Sequence, residues 1–177
     1  MISGALGRAC VMAVAVLLLA GLSEAGFAAA GVAAPNVELR GPRGQRMRLA
    51  DFRGKVVLLE IWASWCPECQ VMFPALDKLS REFRPRGVEV IAVNVDERRK
   101  DADAFLKTQQ HQLRIMFDPS ARVADAFDTL GVPASYLIDP RGKIRYTHEG
   151  YDETTAAAYR REILALLTEW SESSNRN

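Results

Sequence analysis

The sequence predicts an α/β domain, and three observations carry that reading. The run Val56-Val-Leu-Leu-Glu-Ile-Trp62 is apolar at almost every position, as in a strand covered on both faces. Beyond the turn that follows it, Met72, Phe73, Leu76, Leu79 and Phe83 recur at three- and four-residue spacing, the signature of a helix with one buried face. Val88 to Val95 is then a second apolar run of strand length. Buried strand, amphipathic helix and buried strand in succession are the unit from which α/β sheets are built.

Taken in order, the chain opens with a segment that reads as an export signal. Arg8 is the only charge before an apolar run from Ala9 to Leu22, and small residues follow. Cleavage is expected after Ala25 or Ala30; if the segment is retained, residues 9–22 form a membrane tether. Cys10 stands at the start of the apolar run instead of after it, the wrong side for a lipoprotein cysteine, and is expected to be silent. Residues 1–30 are therefore set apart as signal or anchor, and residues 31–177 as one domain of ordinary size. Asn36 to Leu49 alternates around Gly41-Pro-Arg-Gly and reads as a hairpin leading to the central strand. The helix after that strand carries Pro74, expected to kink it, and stops near Pro85-Arg-Gly. A polar helix is expected from Asp101 to Gln110, a short strand from Arg114 to Phe117 and a short helix from Ala121 to Phe127. Ala134 to Asp139 and Lys143 to Glu149 read as a hairpin around Pro140-Arg-Gly, and Thr154 to Leu167 as an amphipathic final helix.

The residues with chemistry stand where the first strand meets its helix. Cys66 falls at that junction, and Pro67 suits the first helical position, where an absent N–H costs nothing. A cysteine there faces unpaired backbone N–H groups and the positive end of the helix dipole, which favour the nucleophilic thiolate. Cys69 lies one turn further in, within reach of Cys66. Cys66 and Cys69 are the only cysteines of residues 31–177, so no disulfide is left over to staple the structure. Glu60 is a carboxylate in an otherwise apolar strand, expensive to bury unless protonated or paired. Taken alone it also admits a glutamate that reaches solvent or a lysine. Lysine and arginine number 23 against 22 acidic residues, and the densest cluster, Glu97-Arg-Arg-Lys-Asp, mixes signs, so no nucleic-acid footprint is expected.

Trp65-Cys-Pro-Glu-Cys after such a strand resembles the active site of the thioredoxin superfamily. Leu49-Ala-Asp-Phe-Arg-Gly-Lys-Val-Val-Leu before it and Gly131-Val-Pro-Ala-Ser-Tyr-Leu-Ile-Asp-Pro-Arg-Gly-Lys after it are similar to the TlpA/ResA branch, over about residues 36 to 168. The resemblance implies a thioredoxin-like fold: a central mixed sheet flanked by helices, with an N-terminal hairpin and one inserted helix. It implies Cys66 as attacking thiolate, Cys69 as resolving thiol and Glu60 as proton acceptor for Cys69. Val132 and Pro133 resemble the superfamily's cis-proline loop, whose backbone groups pair with an extended substrate, although composition also allows an ordinary turn proline. With Trp65 as an apolar platform and Pro67 beside it, these residues are the expected substrate-binding set. Trp62 and Trp170 are expected to be packing residues. The chain departs from its branch in reading Pro133-Ala-Ser where Pro-Thr-Thr is usual, and in placing Met72 where ResA-like proteins keep a glutamate. Thioredoxins set a lysine near the buried acid; the matching position here is Ala92.

The implied function is an extracytoplasmic thiol-disulfide oxidoreductase without cofactor or metal. It would be a monomer that reduces selected protein disulfides and is recharged by a membrane thiol donor. Apocytochrome c and copper-site cysteines are the substrates that family analogy suggests. Pro67 directly after Cys66 also occurs in strong oxidants, so the opposite direction stays open. A Cu(I) chaperone is the alternative from another class, but the copper proteins on this fold use Cys-x-x-x-Cys with a downstream histidine. Thiol peroxidases carry a threonine three residues before the reactive cysteine, and here that residue is Ala63. Zinc would need ligands beyond Cys66 and Cys69, and only His111 and His148 are on offer.

Overall fold

The computed structural model describes residues 31–176. The signal or anchor, its cleavage points and Cys10 lie outside the described residues. Strands β1 (Val32–Ala33), β2 (Glu38–Arg40), β3 (Arg46–Arg48), β4 (Val56–Trp62), β5 (Val88–Asn94), β6 (Arg114–Phe117), β7 (Ala134–Ile138) and β8 (Lys143–Glu149) form one sheet, in the order β1-β8-β7-β4-β5-β6-β2-β3. Pairings β4–β5 and β5–β6 are parallel and the rest antiparallel, so the sheet is mixed. Helices α1 (Pro67–Phe83), α2 (Arg99–Thr108), α3 (Arg122–Ala126) and α4 (Glu153–Ser174) complete the fold.

All seven residues of β4 are buried, because the strand is paired on both edges and covered on both faces. Its alternate residues feed two cores. Val56, Leu58 and Trp62 pack with Cys69, Met72, Phe73 and Leu76 of α1 and with Tyr159 and Ile163 of α4. Val57, Leu59 and Ile61 pack on the other side with Leu49, Phe52, Val123 and Phe127. Glu60 belongs by alternation to the face of α1 and α4. Trp62 anchors that face: its ring lies 4.7 Å from Phe73 edge-on and 5.3 Å from Phe105 of the inserted helix.

The structure departs from the sequence reading in four places. The Gly41 hairpin forms as β2 and β3, but it extends the far edge through β6 and does not adjoin β4; alternation announces a hairpin and is blind to where it docks. Strand β1 pairs two residues with β8 at the opposite edge, too short to leave a pattern in sequence. Helix α3 has five residues, because the Asp118 carboxylate accepts the Val123 N–H at 2.6 Å and Ala121 at φ 53° turns the chain just ahead of it. Helix α4 runs seven residues past Leu167 to Ser174. Its last turns are held by tertiary contacts, with Arg145 on Glu169 at 2.8 Å and the Arg141 guanidinium over Trp170 at 5.5 Å.

Trp62 is fully buried, so truncating it leaves a large cavity between β4, α1 and α2. Trp62→Ala is expected to lower unfolding free energy by about 3–5 kcal/mol in urea titration; a loss under about 1 kcal/mol would show that the α1 face repacks.

Candidate active site

The chain leaves β4 at Trp62 and is held through a short turn before α1 starts. The Asp96 carboxylate accepts the Ser64 N–H at 3.1 Å and the Ser64 hydroxyl at 3.0 Å, and is itself held by the Asn94 side-chain amide at 2.6 Å. Gln70, reaching back from α1, donates to the Ser64 carbonyl at 2.9 Å. Clamped this way, the turn sets Cys66 as the N-cap of α1 with Pro67 in its first position. Cys66 and Cys69 are disulfide-bonded, with Cα atoms 5.3 Å apart. The Cys69 N–H donates to Cys66 Sγ at 3.1 Å. An unpaired helix N–H aimed at Sγ, in line with the helix dipole, is an arrangement that stabilises negative charge on that sulfur once the disulfide opens. Cys66 retains 4% of its surface and Cys69 none, so only the first sulfur is open to an incoming group.

Strand β7 brings up the second part of the site. It runs antiparallel to β4 with Ala134 opposite Ile61, so the loop before β7 arrives at the end of β4 where the cysteines sit. The Val132–Pro133 bond in that loop is cis. The Val132 carbonyl oxygen lies 3.6 Å from Cys66 Sγ, while the Pro133 carbonyl is taken by the Gly150 N–H at 2.9 Å. A cleft of about 220 Å³ opens here between Leu130, Val132, Pro133 and Glu149. Trp65 and Leu130 present their apolar surface to solvent, at 68% and 86% exposure. Trp65 immediately precedes Cys66 in sequence yet turns outward. Glu68 accepts the Tyr151 N–H at 3.1 Å and ties the first turn of α1 to the loop after β8.

Glu60 is completely buried. In register it sits between Ala92 of β5, which offers no cation, and Ser135 of β7. The Ser135 hydroxyl donates to Glu60 Oε2 at 2.7 Å, the Tyr159 hydroxyl lies 3.5 Å from the same oxygen, and the two hydroxyls are bonded to each other. Among the described residues Glu60 Oε1 has no hydrogen-bond partner. Burial pushes the carboxyl up to about 8, and the hydrogen bonds from Ser135 and Tyr159 pull it down only in part. Burial and the nearby Glu60 also raise the Tyr159 and Tyr151 hydroxyls. Met72, at the position where ResA-like proteins keep an acid, is core.

Ser135 and Tyr159 were not singled out by the sequence reading. The available signals were strand register, which puts Ser135 beside Glu60, and the Tyr159, Ile163, Leu166 spacing of the last helix. Neither histidine touches the cysteines: His148 sits 2.8 Å from Glu162 Oε2 and His111 packs edge-on against Phe73. Among the described residues no three His, Cys, Asp or Glu side chains converge to hold a metal ion.

The buried acid sets a pH dependence. Between about 4.5 and 8 the folded protein keeps a proton on Glu60 that the unfolded chain has lost, so the stability present below 4.5 falls as pH rises through 8. At neutral pH the loss is on the order of 3 kcal/mol. Urea titrations of oxidised wild type are expected to lose stability from pH 5 to 8 relative to Glu60→Gln. A constant difference between the two across that range would return Glu60 to the ordinary carboxylate range.

The mixed sheet, the Cys66–Cys69 turn and the cis-proline loop make a thioredoxin-like fold, and comparison with known proteins agrees. Over 111 residues the chain is 36% identical to the thiol-disulfide oxidoreductase ResA of Bacillus subtilis, covering 63% of this chain and 62% of that protein. It is 33% identical over 120 residues to the thioredoxin-like protein YneN of the same organism, covering 66% and 69%. The chain thus spans less than two thirds of ResA and slightly more of YneN. Among solved structures, a Chlorobium tepidum protein described as a thiol:disulfide interchange protein DsbE superposes with a TM-score of 0.74 at 35% identity, over 77% of this chain and 96% of that one. The exposed lipoprotein thioredoxin Etrx1 of Streptococcus pneumoniae superposes with a TM-score of 0.62 at 30% identity, over 76% and 99%. The model of the AhpC/TSA family matches residues 30–147, well over half of the chain, and the protein belongs to that family.

Proposed function

We propose that the protein is an exported thiol-disulfide oxidoreductase that reduces selected protein disulfides. The observation that carries this reading is the disulfide between the N-cap of α1 and the first helical turn, with Cys66 Sγ facing both the Cys69 N–H and the Val132 carbonyl. The reduced protein attacks a substrate disulfide with the Cys66 thiolate, forming a mixed disulfide and releasing one substrate thiolate. Cys69 gives its proton to Glu60 and attacks Cys66 Sγ; the Cys66–Cys69 bond forms, the second substrate thiolate leaves, and two electrons have passed to the substrate. Trp65 and Leu130 offer apolar contact to the partner chain. Backbone pairing with it rests on Val132, because the Pro133 carbonyl is already taken.

Similarity to ResA and to the Chlorobium tepidum protein supports the chemistry, and the apolar leader supports a location outside the cytoplasm. Apocytochrome c and copper-site cysteines are the substrates proposed by family analogy, with electrons from a membrane thiol donor. A peroxidase reading finds no support at Ala63, which is buried and has no hydroxyl to offer Cys66. Cu(I) binding would need a third ligand beside the two sulfurs, and His148 is engaged with Glu162.

In reduced protein, alkylation between pH 5 and 7 is expected to modify Cys66 first, and Cys69→Ser is expected to accumulate mixed disulfides with its partners. Faster reaction at Cys69 would reverse the two roles. Glu60→Gln is expected to slow resolution of a mixed disulfide on the order of 10²-fold and to leave the first attack nearly unchanged; equal resolution rates from pH 6 to 9 would remove Glu60 from the chemistry.

A further inference from the structure

Ala92 stands on β5 where a cation would be expected, and Ser135 of β7 and Tyr159 of α4 are the polar side chains that meet Glu60. Ser135 has one hydroxyl hydrogen, and it is directed at Glu60 Oε2. With that hydrogen given to Glu60, tyrosine is the donor in the contact between Ser135 Oγ and the Tyr159 hydroxyl, and the 3.5 Å approach of the Tyr159 hydroxyl to Oε2 is a contact and not a second full hydrogen bond. Tyr159 gives to Ser135 and Ser135 gives to Glu60, a chain with one direction. Both residues are fully buried, and they come from elements far apart in sequence, β7 and α4. Both hydroxyls approach the carboxyl at Oε2, while Oε1 is buried without a hydrogen-bond partner among the described residues. An unpartnered buried oxygen on a carboxyl group is costly. Its cost is removed if that oxygen carries the proton or meets a donor during turnover.

We propose that Ser135 and Tyr159 are positioning residues: their hydroxyl chain holds Oε2 and so commits Oε1 of Glu60 to exchanging a proton with Cys69. The inference rests on the oxidoreductase reading and deepens it. Alternation along β4 puts Glu60 on the sheet face that α1 and both cysteines cover. In the mixed disulfide the Cys69 thiol loses its proton to Oε1, Cys69 Sγ bonds to Cys66 Sγ, and the bond from Cys66 to the substrate breaks. The departing substrate thiolate takes its proton from solvent. When the protein is reduced again, Oε1 returns its proton to Cys69.

The hydroxyl chain also sets which pH the step requires. Hydrogen bonds donated to a carboxylate favour its ionised form, and here they oppose the dominant effect of burial. The other titratable groups on this side of the acid are Tyr151, the His148–Glu162 pair beside Tyr159, and the two cysteines of the same core. Strand β5 contributes Ala92 and no charge. With no cation opposite the acid, the two hydroxyls are the groups that bring it back toward ionisation.

The test follows the Glu60 carboxyl carbon by NMR in oxidised full-length protein labelled with ¹³C-glutamate, the resonance being identified by its loss in Glu60→Gln. Ser135→Ala and Tyr159→Phe are each expected to move the titration midpoint upward by about one pH unit. Ser135→Thr, which restores the hydroxyl, is expected to return it toward wild type and guards against a variant that fails to fold. In parallel, single-turnover resolution of a Cys66 mixed disulfide with thionitrobenzoate is measured against pH. Its midpoint is expected to move in the same direction, with the high-pH plateau within about twofold of wild type. Unmoved NMR midpoints in both variants would overturn the hydroxyl chain. A moved NMR midpoint with an unmoved rate profile would overturn the commitment of Oε1 to Cys69. Absence of any disulfide exchange in wild type would instead overturn the oxidoreductase reading, and the NMR titration would still decide the hydroxyl chain.

Discussion

Water is kept away from β4, and the rest of the site depends on that constraint. Its backbone is hydrogen-bonded to β5 on one edge and β7 on the other, and its faces lie under α1 and α4 on one side and the second core on the other. Any polar group placed on this strand must be satisfied from within the fold. An ionised carboxylate without a counter-charge is the most expensive group to place there. The protein places a carboxyl at Glu60, held protonated below about pH 8, and sets the Ser135 and Tyr159 hydroxyls beside it. The result is an acid poised near neutral pH in place of a permanent charge.

The same strand delivers the cysteines. Because β4 stops at Trp62 and α1 starts at Pro67, Cys66 lies at the one point of the helix where backbone N–H groups are unpaired. Because β7 runs antiparallel to β4, its leading loop reaches the same end of the sheet and sets Val132 against Cys66. Asp96, following β5, fixes the intervening turn through Ser64. Three adjacent strands thus contribute one part each: β4 the acid, β5 the clamp on the turn, β7 the loop. Glu68 adds a tie between α1 and the segment that leads into α4, the helix carrying Tyr159.

The features of the site that could be read in the sequence are those written in local pattern. The Cys-Pro-x-Cys step after an apolar run places the junction of strand and helix. The apolar run around Glu60 announces its burial, and the alignment of parallel strands identifies Ala92 as its neighbour, as found. The inserted helix before β6 was also legible, displaced by two residues at each end. Less legible were features that depend on partners distant in sequence. The Gly41 hairpin is correct as a local unit, yet its docking against β6 follows from which edge was left open. The outward turn of Trp65 is decided by what already fills the space under β4, where Trp62, Phe73 and Phe105 pack against one another.

Sequence alone determined that an acid in an apolar strand, a cysteine at a helix start and a second cysteine one turn later belong to one α/β unit. Periodicity and the residue types at the junction are local properties, and they survive without a partner. Only the tertiary structure decided how the acid is held. Ser135 lies 75 positions from Glu60 and Tyr159 lies 99, and neither carries a local mark of its contact. Their hydroxyls meet Oε2 because strand register aligns β7 with β4 and because α4 packs across the face that β4 presents. A hydrogen bond between residues so far apart is a consequence of closing the sheet and laying the last helix on it, and it exists only once both have happened.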